Sequence, residues 1–90
     1  MDGARSRVGE ILARIEAWTD GNAGRFAAGE DLRCDLYNEV IHHLPEFDPL
    51  DPGNREFVFD YRYVLLDGTV IDGTTVREDG RPEWRVIAPG

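Results

Sequence analysis

Lysine is absent from this chain, and all ten basic residues are arginine. A guanidinium stays protonated, so Schiff-base formation and lysine nucleophiles are excluded. A glycine and lysine phosphate loop is excluded with them, and no GxGxxG follows a predicted strand. Cys34 is the only cysteine, which rules out an internal disulfide and a cysteine-built zinc site within one chain. It is expected to be a small buried residue on a helix. Ser6 is the only serine and stands beside no base. Cys34 and His42 lie more than two helical turns apart, roughly 12 Å along an axis, too far for a nucleophile and base pair. Nor does any apolar run approach the ~20 residues of a membrane span. No basic segment leads into an apolar core at the N-terminus, so a cytoplasmic location is expected.

What the chain has is acid. Its 90 residues carry a formal net charge of −8, with the C-terminal half the more acidic. Nucleic acid is an unfavourable partner, because binding it needs clustered cations to neutralise phosphates. Anionic membranes are disfavoured on the same ground. A basic protein partner is favoured, since complementary fields speed encounter and reject wrong partners. Apolar residues make up 41% and charged residues 31%, the balance of a globular domain rather than a disordered segment. A chain of this length forms one domain, burying roughly 60 to 65% of its unfolded surface.

Val8, Ile11, Leu12, Ile15 and Trp18 recur at helical spacing and predict an amphipathic helix over about 4–18, capped by Asp2 or Ser6. Residues 25–29 read as a helical turn that tucks Phe26 inward. Leu32, Leu36, Tyr37, Val40, Ile41 and Leu44 form a second stripe over about 30–44, with Glu30 and Asp31 at its positive end and Pro45 stopping it. Residues 45–55 hold three prolines and read as an extended crossover, pinned by Phe47 and Leu50.

Alternation then takes over. Phe57, Phe59, Tyr61, Tyr63 and Leu65 line one face of a strand over about 56–66, while Val58, Asp60, Arg62 and Val64 line the other. Asp67-Gly68 predicts a two-residue type I′ hairpin into a strand over about 69–76, in which Gly73 marks a bulge or an end. After a turn at 78–82, a third strand is expected over 83–87. Helices followed by strands predict an α+β fold, two N-terminal amphipathic helices packed on one face of a three-stranded antiparallel meander.

Leu66-Asp67-Gly68-Thr69-Val70-Ile71-Asp72 resembles the Asp-Gly-Thr-Val-Phe-Asp segment of FKBP-type prolyl isomerases. The resemblance implies pocket-lining positions at Tyr61 or Tyr63 and at Asp72. It covers a short stretch: Ile71 replaces the family's aromatic, its Val-Ile-x-Gly-Trp helix does not follow Val76, and the N-terminal helices have no counterpart. No catalytic role is carried over.

Other constellations are explained without chemistry. Glu39 and His42 have the spacing of one half of a di-iron ligand set, but a single copy stands outside any four-helix bundle. Glu39 and His43 suit an ordinary i, i+4 pair. The Asp-rich turns lack the ligand density of a calcium loop. No catalytic set, cofactor or metal is expected. The leading expectation is a non-enzymatic acidic protein that binds a basic partner, in the manner of an inhibitor, antitoxin or immunity protein. Its contacts are expected at Glu46, Asp48 and Asp51 in the crossover and at Asp60, Arg62, Asp72, Glu78 and Asp79 in the β half. The rivals are a homodimeric structural or accessory subunit, and a ligand binder or enzyme using Tyr61, Tyr63 and His42.

Overall fold

The computed structural model describes residues 3–54 and 61–88. Three helices come first: α1 (Gly3–Gly21), α2 (Ala23–Ala27) and α3 (Arg33–Glu39), followed by 3₁₀ turns at Ile41–His43 and Pro52–Asn54. Strands β1 (Arg62–Val64), β2 (Val70–Asp72) and β3 (Arg85–Ile87) form an antiparallel sheet in the order β1-β2-β3. The fold is therefore α+β, with helices preceding strands.

Each helix departs from its expected bounds for a local reason. Residues Thr19 to Gly21, read as a turn, continue α1, and the Thr19 hydroxyl bonds back to the Ile15 carbonyl at 2.7 Å within it. The helix starts at Gly3, so Ser6 lies inside it rather than at its cap, and Asp2 is outside the described residues. The turn containing Phe26 is helical as expected, and Phe26 is buried. α2 ends in a Schellman motif: Gly29 takes a φ of 83°, its amide bonds to Phe26 O, and the Glu30 amide bonds to Arg25 O. The second long helix is shorter than expected. It stops at Glu39, where β-branched Val40 and Ile41 follow in succession, and a 3₁₀ turn carries both into the core. Leu44 is extended, as the residue before Pro45 prefers.

Cys34 is exposed, contrary to expectation. Leu32 and Leu36 face the core one turn apart, and Cys34 sits midway between them, about 200° round the helix from Leu32. The Glu39–His43 pair does not form either. Glu39 instead accepts the Trp18 indole N–H at 3.0 Å, and the helix breaks before His43.

The core joins Ile11 and Ile15 of α1, Leu36 of α3, Ile41, Leu44 and Phe47 to Tyr63, Leu65, Ile71 and Trp84. Tyr63 and Leu65 are buried as the alternation predicts, whereas Phe57, Phe59, Val58 and Asp60 lie outside the described residues. In register, Tyr63 pairs with Ile71 and Ile71 with Val86; on the opposite face Arg62, Asp72 and Arg85 stand in a row.

The hairpin turn is not type I′. No non-glycine residue among those described has positive φ, so within this turn Gly68 alone takes one, at 89°. Gly68 N bonds to Leu65 O and Leu65 N to Thr69 O, so the loop has three residues with glycine in the left-handed position. The Asp67 side chain accepts the Thr69 amide. The second turn repeats the same design: Gly80 N to Arg77 O, Arg77 N to Arg81 O, a φ of 89° at Gly80, and Asp79 accepting the Arg81 amide. One Asp-Gly device thus reverses the chain twice.

Trp84 joins the layers. Its indole stacks on Tyr63 with centroids 6.2 Å apart and meets Tyr61 edge-on at 6.0 Å. Its N–H donates to the Thr19 hydroxyl at 2.9 Å. A Cβ on Gly73 would fall 2.6 Å from the ring, so Gly73 makes room for the indole while its amide still bonds to Tyr61 O. The outer edge of β1 is sealed by the crossover. Asp48 N bonds to Val64 O, Leu66 N to Glu46 O, and buried Asn54 both donates to Val64 O and accepts the Val64 amide. Phe47 is buried as expected, but Leu50 is 80% exposed and pins nothing.

Gly73→Ala is expected to lower stability by about 1 to 3 kcal/mol, since the ring has no room to retreat. Thr19→Val, which strands the indole N–H, should cost about 1 to 3 kcal/mol. Gly9→Ala, where a Cβ meets nothing within 4 Å, should stabilise by about 0.5 to 1 kcal/mol. Urea midpoints at constant slope measure all three.

Candidate functional site

The acids singled out from the sequence fall in three places. In the crossover, Glu46 is half-buried and ion-paired with Arg7 of α1, while its main chain holds Leu66. Asp48 caps its own turn by accepting the Leu50 amide at 3.0 Å. The Asp51 carbonyl accepts the Asn54 amide. These residues build the loop that seals β1. Asp60 lies outside the described residues.

On the sheet, Arg62 is exposed and faces Asp72 across the strands. Asp72 is buried, accepts the Thr74 amide at 2.8 Å and hydroxyl at 2.7 Å, and stands 3.7 Å from Arg85. Burial pushes its carboxyl up, but the two Thr74 bonds and the fields of Arg85 and Arg62 outweigh that and hold it below the usual carboxylate range. At the second turn, Asp79 is held low by the Arg81 side chain and amide, and Glu78 is exposed beside it. Several of these acids therefore order backbone as well as carry charge.

The prolyl-isomerase positions do not share a pocket. Asp72 lies on the sheet face opposite Tyr63, the Tyr61 hydroxyl accepts the Leu32 amide at 3.1 Å, and the Tyr63 hydroxyl is buried with no hydrogen-bond partner among the described residues. Burial pushes the Tyr63 hydroxyl well above its ordinary range, so it stays protonated. His42 belongs to a different aromatic group, 5.7 Å from Tyr37, which in turn meets Phe47. No cluster of three or more potential metal ligands occurs among the described residues.

Among the concavities of the described residues, two are larger than the rest of those found, and the sequence singled out neither. The first is an apolar groove of about 330 Å³ lined chiefly by Val8, Ile11, Pro45, Leu65 and Leu66, with Arg7, Glu46 and Asp67 around it. The second is a polar cleft of about 520 Å³ between the last turns of α1 and the start of the third strand. Glu16, Asp20 and Glu83 line it with Arg77, Thr19 and Trp84. Glu16 and Asp20 are one turn apart on one face of α1. Glu83 is brought to them by Trp84, whose indole must reach Thr19, so the buried join positions the acidic lining. Asp20 is also paired with Arg81, and Arg81 with Asp79 at 2.7 Å. The signal available in the sequence was the i, i+4 spacing of Glu16 and Asp20. It was hidden because Asp20 resembled a turn residue.

Over its whole length the chain aligns with the phenylalanine–tRNA ligase alpha subunit of Thioalkalivibrio sulfidiphilus, with 33% identity across 96 aligned positions. It spans 28% of that subunit's length. No family model and no solved structure matches. No helix among the described residues is long and apolar enough to cross a membrane.

The acids predict a pH dependence with a definite sign. Asp31, held down to about 2 by Arg33, and Asp67 and Asp72, both held low, bind protons less readily folded than unfolded. Their contribution is complete above the unfolded value of about 4 and is lost as pH falls through the folded values. Urea midpoints should therefore drop between about pH 4 and pH 2, and Asp72→Asn should flatten that drop. An unchanged profile in the variant would remove Asp72 from the acid response.

Proposed function

We propose that this chain is a non-enzymatic binding protein for a basic protein partner, acting as an inhibitor, antitoxin or immunity protein acts. The observation that carries this reading is how the charge is distributed. Arg7, Arg25, Arg33, Arg81 and Arg85 are each engaged by acids of the same chain. The excess of acid in a net charge of −8 is therefore presented outward. Glu16, Glu78 and Glu83 are exposed, and with Asp20 they lie on or near the polar cleft.

A cleft in which Glu16 and Glu83 flank an Asp20 already paired with Arg81, with Arg77 in the lining, suits an arginine or lysine of a partner, whose planar or point charge finds acceptors on more than one side. Asp48 and Asp51 of the crossover add acid along the β1 edge, where Glu46 is already paired with Arg7. Such a field steers encounter more than it sets affinity, so binding is expected to respond steeply to salt. Similarity to part of a tRNA ligase subunit does not bring the ligase's activity to this chain, which spans 28% of its length.

The immobilised chain, incubated with lysate of its host, should retain a discrete basic protein at about 50 mM salt and release it by about 500 mM, where the screening length falls well below 10 Å. Glu16→Arg with Glu83→Arg should weaken retention at low salt by at least about tenfold. A partner held equally at both salt concentrations, or unaffected by the double reversal, would contradict the proposal.

A further inference from the structure

The two edges of the sheet differ. β1 is closed by Asn54 and the crossover main chain. Along β3, no described residue bonds to the side facing away from β2. The register shows which groups are left over. Leu65 N bonds to Thr69 O and Gly73 N to Tyr61 O, which makes Tyr63 and Ile71 the hydrogen-bonded pair between them. Ile71 therefore turns its peptide groups toward β1, and Val70 and Asp72 turn theirs toward β3. Their partners Ile87 and Arg85 bond inward, leaving the Val86 N–H and C=O pointing outward.

The side chains at this edge are apolar on both faces. Val86, on the same face as Ile71, is 40% exposed, and Ile87, on the other, is 41% exposed. The helical layer thus ends before it covers β3. The segment is also electrically distinct. From Trp84 to the last residue there is no acid, and Arg85 stands against Asp72 of β2, in a chain whose net charge is −8.

We infer that β3 is a self-association edge, where a second copy of this chain pairs antiparallel to give a continuous six-stranded sheet. A two-fold axis at Val86 lets the two Val86 peptides exchange both hydrogen bonds and sets their side chains together where the helical layer is missing. Arg85 then lies opposite Ile87 of the second copy, so no like charges face each other. The acid-free stretch is the part of this surface where two acidic copies repel least. The strands are short and bury less than the ~1,200 Å² of stable interfaces, so the dimer is weak and concentration-dependent. Salt strengthens it by screening the mutual repulsion, opposite to its effect on the proposed basic partner. Failure of one reading therefore leaves the other distinguishable.

Sedimentation velocity of the full chain from about 10 µM to about 1 mM tests this. The weight-average mass should rise toward that of a dimer, and further in about 0.5 M salt. Val86→Pro removes an N–H that β2 does not use, a substitution an edge strand tolerates, and should leave a monomer with a near-native urea transition. If the proline perturbs folding, Val86→Lys places like charges at the axis and should also abolish association. A wild type that stays monomeric at about 1 mM overturns the inference and leaves the edge to solvent or to another chain's strand. Folded Val86→Pro or Val86→Lys proteins that dimerise like the wild type also overturn it.

Discussion

The fold depends on the seat of one indole. Trp84 reaches from the start of the third strand across Gly73, stacks on Tyr63 and donates its N–H to Thr19 near the end of α1. The Thr19 hydroxyl passes the bond on to the Ile15 carbonyl, so helix, side chain and strand form one buried polar chain inside an apolar core. Each part limits the others. A side chain at Gly73 would close the space, loss of the hydroxyl would leave a buried donor unpaired, and loss of the ring would leave the join of α1 to the rest of the core to Ile11 and Ile15. Aromatic contacts of this kind add about 0.5 to 1.5 kcal/mol each beyond area burial, and the interior hydrogen bond adds direction to them.

The external features follow from that join. Because Trp84 must reach Thr19, Glu83 is carried to the carboxylates of Glu16 and Asp20, and an acidic cleft forms where the two layers meet. Burial falls off across the sheet, with β2 buried throughout and every residue of β3 exposed, and Val86 is left half-open. The opposite side of the sheet is closed by other means, with Asn54 serving as a side-chain substitute for a neighbouring strand. One edge is thus sealed by a polar side chain, while the other takes no bond from any described residue and is free of acid.

Periodicity alone revealed the helices, the three strands and the inward row of Tyr63 and Leu65, because burial imposes the spacing that the sequence displays. It could not show where α3 breaks, since Val40 and Ile41 continue the apolar stripe while their β-branched side chains favour a change of backbone. The hairpin class was misread because Asp-Gly serves both the two-residue loop and the three-residue loop with a glycine bulge, and the flanking register decides between them. Asn54 and Thr19 were silent for a different reason. Each acts through a partner distant in sequence, and an isolated polar residue gives no sign of that. The same holds for the cleft, whose acids come from α1 and from the segment just before β3, about sixty residues apart.

Hydrogen exchange of the two indole N–H groups tests the central claim most directly. If Trp84 is the buried join, its indole proton exchanges only through global unfolding, with an opening free energy equal to that from urea denaturation. The Trp18 indole, on an exposed bond to Glu39, should exchange far sooner. A Trp84 proton that exchanges as fast as that of Trp18 would show that the join opens independently of the fold, and would contradict the account.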